Sequence, residues 1–510
     1  MQTANIPVRN ILIVGDGIAA WLSAVMLARA TGRGKVLIGV AGARGGADAI
    51  ENEFAGSTLP SFGPRHATLG FVEGELMRAT QATYKLGDEF RDWDTPGGTY
   101  VHAFADVGAR LDAIAFHHLL GRLRAAGERI DIGDYSVAAQ AARLGRFAHP
   151  SQDGKSAAST FSYALHLDAP AYARYLRAYA EHLGVTPLNG RLASVQRRES
   201  DGFIEAVLLE DGRRLAAQLY LDCSGAAGDL IQGVLEAGFE SWAQWLPCNR
   251  ALSAFTARQA PPRPVTEFIA RSAGCQLRIP LQQGNSNGFI YSAAHLADDE
   301  AQASFRAGLD APVTREPHAF RFEQGRRRQF WSHNCVAIGA SAAVLEPLGS
   351  AGLHLMMSAL THLLTLFPDV SCAASLATEY NRVMAGEYRG VRDLLVLHYH
   401  ATRRADSEFW RHCRAMNLPD SLAHRLELFR HRGHFTLDDA DTFMEPDWMQ
   451  VFLGQGIWPE RTDPLADFLD LDMLRQKVER MRQIVHRTAE GLPPHESYLA
   501  QRLAPRPAPR

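Results

Sequence analysis

Residues 10–14 (Asn-Ile-Leu-Ile-Val) are an unbroken apolar run of strand length, and the turn Gly15-Asp-Gly-Ile-Ala-Ala20 follows at once. Trp21 to Ala30 then carries helix formers. Such a run reads as a strand buried on both faces of a parallel sheet. Strand, glycine turn and helix in this order form the context that a dinucleotide-binding fingerprint requires. The first two glycines allow a tight turn and a close approach of backbone to a pyrophosphate at the helix N-terminus. Ala20 in the third position is an accepted variant. A second strand, Lys35 to Val40, follows at βαβ distance. The acidic ribose ligand expected at its end is missing, with Gly39 and Val40 in its place. That weakens a nicotinamide reading more than a flavin reading, since flavin sites gather contacts from many segments. By itself, the motif also fits a plain glycine turn in an α/β core.

Two later segments repeat the pattern. Gln218-Leu-Tyr-Leu-Asp-Cys-Ser-Gly225 reads as a strand ending in a glycine turn, and so does Asn334-Cys-Val-Ala-Ile-Gly339, followed by Ala340 to Gly352. A long apolar helix then runs to about Leu366, stopped by Pro368. Small residues at three separate strand ends predict one extended cofactor lying across a sheet. Between them, Asp168 to Val185 places Tyr172, Tyr175, Leu176, Tyr179 and Leu183 on one helix face. From about Ser371 onward the pattern turns helical. The expected division is a core over 1–370 that includes a substrate-facing sheet, a helical subdomain over 371–503, and a disordered Pro- and Arg-rich tail over 504–510. There is no internal repeat.

The bulk numbers narrow the class. A chain of 510 residues with a formal charge of −3, 46% hydrophobic and 21% charged, is an ordinary globular protein and not a disordered or fibrous one. It lacks the basic field that phosphate contacts demand, so no nucleic-acid partner is expected. Its six cysteines include no C-x-x-C pair, which fits a reducing compartment and gives no zinc or disulfide framework. The apolar stretch Ile11–Ala30 is broken by Asp16 between two glycines and lacks a lysine-rich start, so no signal or membrane segment is read and a cytoplasmic location is expected. His117-His118, His398/His400 and His431/His434 lack convergent cysteines or carboxylates and read as structural, with no metal site. The arginine run 326–328 reads as fold electrostatics aiding a cofactor, and Trp242, Trp245 and Trp331 as core aromatics. One count is unusual: of 53 basic residues only Lys35, Lys85, Lys155 and Lys477 are lysines. Arginine stays protonated, whereas lysine can become a nucleophile, so a reactive amine has four candidates.

With these blocks in view, the sequence resembles the flavin-dependent tryptophan halogenases, which are built on a flavin-monooxygenase core. Ile13-Val-Gly-Asp-Gly-Ile-Ala-Ala-Trp21 is similar to the family opening, and Gly56-Ser-Thr-Leu-Pro60 to its G-E-S-T-x-P element. Ala82-Thr-Tyr-Lys-Leu-Gly-Asp-Glu-Phe-Arg-Asp-Trp93 resembles the segment carrying the family's catalytic lysine, which falls on Lys85. Tyr100-Val-His-Ala-Phe104, Leu221-Asp-Cys-Ser-Gly225, Trp331 to Gly339, Glu346-Pro-Leu-Gly-Ser350 and Gly454-Gln-Gly-Ile-Trp-Pro459 continue the match. The resemblance implies an enzyme supplied with FADH2 by a separate flavin reductase. With oxygen and chloride or bromide it would make hypohalous acid, and an internal tunnel would lead this to the lysine and a small electron-rich aromatic substrate, indolic in the family. The resemblance places FAD against Gly15, Gly17, Ile18, Ala19, Ala20, Val40, Ser57, Val195, Ala340 and Leu353. It places halide at the backbone of Ala351 and Gly352, and substrate near Gly349 and Ser350. It is compatible with a homodimer.

Three departures qualify this. At the family's W-x-W-x-I-P signature the chain reads Cys275-Gln-Leu-Arg-Ile-Pro280, with both tryptophans replaced. The glutamate of P-L-E-S-T-G becomes Gly349, and Glu346 would point elsewhere. The glutamate of G-E-S-T becomes Gly56. Oxygen transfer by a related monooxygenase or peptide-modifying flavoprotein, or a flavin-binding protein without catalysis, therefore stays open beside halogenation.

Overall fold

The computed structural model describes residues 6–44 and 56–504. The chain forms two compact units, each assembled from three separated stretches: Met1–Ala82, Leu167–Ala243 and Phe320–Arg389 in the first, Thr83–His166, Gln244–Ala319 and Gly390–Arg510 in the second.

In the first unit, five central strands run parallel: Thr186–Arg197, Leu37–Gly42, Asn10–Val14, Leu219–Asp222 and Cys335–Ala337. The apolar runs of Asn10–Val14, Leu219–Asp222 and Cys335–Ala337 do not alternate because both sheet faces are covered. Ile11 to Val14 are all buried. The helix Ile18–Thr31 is buried at every position from Ile18 to Ala28, and it packs on the helices Ala169–His182 and Gly352–Thr365. Register decides what this unit can do. Val14, Asp222 and Ala337 stand level across three adjacent strands, so their turns leave from the same sheet edge. The second strand lies two residues later than its expected span. Gly32 and Gly34 take positive φ and Lys35 N–H bonds back to the Gly32 carbonyl, which keeps Lys35 in the preceding turn. Val40 is therefore inside the strand, paired with Ile13, and the strand ends at Gly42.

The second unit is built on a seven-stranded sheet in the order Val313–Arg321, Arg250–Ala257, Gly284–Tyr291, Gly274–Pro280, Thr266–Arg271, Gly87–Arg91, Thr99–Ala103. All its pairings whose register is given are antiparallel except that of Thr266–Arg271 with Gly87–Arg91. Every element from Ala374 to Leu503 is a helix, so a mixed α/β body with a helical C-terminal region is what the chain forms. Among the described residues no helix is long and apolar enough to cross a membrane. The six cysteines are buried and none is in a disulfide. Lys35, Lys155 and Lys477 are exposed; Lys85 is fully buried.

Candidate active site

The short strand Thr83–Lys85 pairs antiparallel with Ala164–Leu167, setting Lys85 opposite Ala164. Its Nζ lies 2.7 Å from Asp88 Oδ1 and 4.9 Å from the centre of the Phe104 ring, with both members of the ion pair almost wholly shielded from water. Burial pushes the pKa of Lys85 down, and the charge and hydrogen bond of Asp88 oppose that shift. Gly87 makes this approach possible: a Cβ there would stand 2.3 Å from the His102 carbonyl oxygen, so only glycine lets the Asp88 strand run so close to its neighbour.

Two histidines fix the lysine strand. Thr83 Oγ1 donates to the Pro280 carbonyl at 2.7 Å, so it accepts from His166 Nδ1 at 3.1 Å, and His166 Nε2 accepts from Thr266 Oγ1 at 3.0 Å. Tyr84 N–H donates to His495 Nε2 at 3.2 Å, whose Nδ1 donates to the Pro262 carbonyl at 2.8 Å. Burial, with Lys85 and His495 nearby, drives the pKa of His166 well below its usual value, and burial lowers that of His495 to about 4. Both rings are neutral at pH 7, so neither adds a competing positive charge beside the amine. Asp88, His166 and His495 are absent from the sequence reading. Lys-x-x-Asp is visible in the 85–88 segment, but the two histidines lie far along the chain and no spacing announces them.

The cofactor edge of the first unit fits a dinucleotide. Gly15 has φ +141°, and a Cβ on it would come 2.2 Å from the Cys223 carbonyl oxygen. Gly17 is the extended N-cap of the following helix and supplies no side chain, leaving that helix start open to an anion. Asp222 ties the turns together: its carboxylate accepts from the N–H groups of Ser224, Leu230 and Ile231 and from the Ser224 and Ser341 hydroxyls. Arg327 does the same from the other side, donating to the carbonyls of Ser341, Ala226 and Ala227. The run 326–328 thus divides: Arg327 is a buried staple, while Arg326 pairs with Glu240 at 2.7 Å. Ile18, Ala19 and Ala20 open the first helix, and Ala340 sits in the turn after Ala337. Val195 stands apart on the antiparallel arm, opposite Val207.

Ser57 and Ser350 meet directly, the Ser350 hydroxyl donating at 2.9 Å. Gly349 and Ser350 take φ +72° and +59°, a left-handed pair just before the helix Gly352–Thr365, with Ala351 as its N-cap and Leu353 in its first turn. Successive N–H groups in such a turn form an anion-holding concavity. Glu346 is held by Gln324, which donates to it at 3.1 Å and accepts from its N–H. Gly56 is required by packing, since a Cβ would lie 2.6 Å from Leu167 Cδ1. Cys275, Leu277 and Ile279 are buried, and Leu277 pairs directly with Phe268 on the sheet face that also carries Phe90 and Asp88. His117 and His398 bond to backbone carbonyls, and Trp242 and Trp331 are buried with their indole N–H groups bonded.

A parallel sheet with a glycine-turn dinucleotide edge, joined in one chain to a unit that holds a seven-stranded sheet and a buried lysine on the short strand Thr83–Lys85, defines a flavoprotein of the monooxygenase class. The tryptophan halogenase family model matches residues 10–470, and the chain belongs to that family. It is 31% identical to tryptophan 7-halogenase KtzQ of Kutzneria sp. (strain 744), over 90% of this chain and 92% of the relative. Two solved structures are similar: BrvH, a flavin-dependent halogenase from Brevundimonas sp. BAL3 (TM-score 0.93, 37% identity, 97% and 99% of the two chains), and a flavin-dependent halogenase from Xanthomonas campestris (TM-score 0.92, 38% identity, 99% and 100%). The chain is thus a flavin-dependent halogenase. Halogenation, rather than the oxygen transfer or lost catalysis left open above, is the activity its family carries.

Proposed function

We propose that this enzyme chlorinates or brominates an electron-rich aromatic ring, an indole foremost, and that Lys85 and Asp88 carry out the transfer. The buried ion pair between them carries this reading. When bound, reduced flavin delivered by a separate reductase would activate molecular oxygen, the oxidant that turns halide into hypohalous acid. Gly15, Gly17, Ile18, Ala19, Ala20, Val40, Ser57, Ala340, Leu353 and, at the margin, Val195 hold that flavin, while the N–H groups of Ala351 and Gly352 hold halide. Gly349 and Ser350 border the substrate.

At the lysine the steps balance as follows. Asp88 takes a proton from the Lys85 ammonium, a transfer that burial favours. The amine lone pair then attacks the halogen of hypohalous acid, forming an N–X bond. The departing hydroxide takes an N–H proton and leaves as water. The π electrons of the substrate ring next attack the halogen, forming C–X and breaking N–X. As the electron pair returns to nitrogen, Asp88 gives back the proton it took, and the carboxylate so freed accepts the ring proton. A family glutamate is replaced by Gly349, and Asp88 supplies a carboxylate beside the amine in its stead. A dry site keeps the oxidant from water and stray nucleophiles. A cytoplasmic setting would hold the six thiols reduced and a reductase at hand.

The test supplies protein, flavin reductase, NADH, FAD and bromide to a panel of indoles and phenols and looks for brominated mass pairs. Wild type gives them, and Lys85→Ala binds FAD equally well and gives none. Hydroxylated products without bromine, or full turnover by Lys85→Ala, would overturn the reading.

A further inference from the structure

The second unit contains a cavity of about 430 Å³ that the lysine chemistry does not use. It is walled by the end of the helix Ala374–His400 and the loop after it, by Arg414 and Arg430 from the helices Glu408–Ala415 and Asp420–Arg432, and by the segment from Gln455 to Glu460. Three arginines, Arg403, Arg414 and Arg430, border it against a single carboxylate, Glu460. Arg403 is turned to Asp94, with its Nε 2.7 Å from Oδ1. Arg414 and Arg430 form no ion pair among the described residues. Burial and the charge of Arg430 together lower the pKa of His400, so the cavity's positive charge comes from guanidinium groups and does not vary near neutral pH.

The floor supplies a second, independent observation. Gln455 is 1% exposed and turns its carboxamide to the buried Tyr100 hydroxyl, and the part of that carboxamide not engaged there has no hydrogen-bond partner among the described residues. Buried polar groups are almost always bonded, and one left unbonded destabilises the protein until something bonds it. Ala401, Ile457 and Trp458 add an apolar wall beside these polar groups. A concave surface with unpaired guanidinium groups at its rim concentrates anions, and the planar fork of arginine matches the oxygens of a carboxylate or phosphate.

We propose that this cavity is a second ligand site, which takes a small molecule through a carboxylate or phosphate group held by Arg414 and Arg430, with Gln455 bonding it from the floor. The site is independent of halogen transfer. Its test is a calorimetric titration of the full chain saturated with FAD, at fixed ionic strength and without halide or reductant, so it stands or falls apart from turnover. One arm uses inorganic phosphate and the other succinate, and the arm that binds identifies the oxyanion preferred. Saturable one-site binding is expected in at least one arm, weakened roughly tenfold or more in Arg414→Gln/Arg430→Gln. Glu460→Gln, which removes the one opposing charge, should tighten binding, a gain that a misfolded protein cannot imitate. No saturable binding in either arm, or equal affinity in wild type and the double variant, would overturn the proposal.

Discussion

Asp88 is the counter-charge that makes a fully buried lysine tolerable, and it reaches Lys85 from three residues on. A family segment marks the lysine. Asp88 stands three residues on, in the strand that Gly87 opens and sets close against Thr99–Ala103. His166 and His495 come from 81 and 410 residues further along, through strand pairing and packing that no local pattern encodes. Replacing Asp88 by Asn leaves the ammonium buried without its counter-charge. A broken buried pair costs about 3 kcal/mol or more in stability, which lowers the thermal midpoint. The lysine pKa should fall further, so whatever halogenation remains should have its acid limb moved to lower pH, with FAD affinity unchanged. An unmoved limb would show that Asp88 does not set the state of the amine. Restoring the family glutamate as Gly349→Glu should not help stability, because a side chain at φ +72° costs about 1–2 kcal/mol.

At the level of elements, the cofactor edge was the most legible part. Three strand ends rich in small residues were expected to line one cofactor, and register sets Val14, Asp222 and Ala337 level. The fastening leaves no such signal in the sequence. Asp222 sat inside a recognised block without a role, and Arg327 looked like one third of a charge run, since an arginine that bonds only to carbonyls leaves no charge pattern. Arg327→Met should therefore weaken FAD binding roughly tenfold, through lost charge-assisted bonds to both turns, while leaving the second unit's thermal behaviour alone. Flavin fluorescence titration measures the first. Gly15→Ala is the harsher change: a methyl 2.2 Å from a carbonyl oxygen cannot be absorbed by a side-chain shift. It should cost about 3 kcal/mol or more and abolish flavin binding, as seen by calorimetry and loss of bound yellow cofactor. The exchange of two tryptophans for Cys275 and Leu277 lies on the sheet face of Asp88, where smaller side chains leave a substrate more room than the family signature would.

The whole molecule is built from interleaved stretches, with each unit completed only by its last third. Folding must close long loops before either core forms, so slow refolding is expected. The molecule also carries a built-in acid sensitivity. Burial lowers the pKa of His66 and His495 to about 4 and that of His398 to about 3. The unfolded chain takes up protons near 6.5 that the folded chain refuses, so this contribution is present above 6.5 and is lost as pH falls toward 4. Each group shifted to about 4 accounts for about 3 kcal/mol at pH 4. Thermal midpoints should drop steeply between pH 6.5 and 4.5, and His495→Gln should flatten the curve. A midpoint independent of pH across that range would contradict this.

The distribution of lysines has a practical outcome. Three amines stand in solvent at Lys35, Lys155 and Lys477, and the fourth, Lys85, is sealed from it. An acylating reagent offered to the folded enzyme should couple to those three side chains and pass over Lys85. The enzyme could then be tethered to a solid support by ordinary amine chemistry and still halogenate, the nitrogen proposed to carry the halogen being protected by the fold and needing no blocking group.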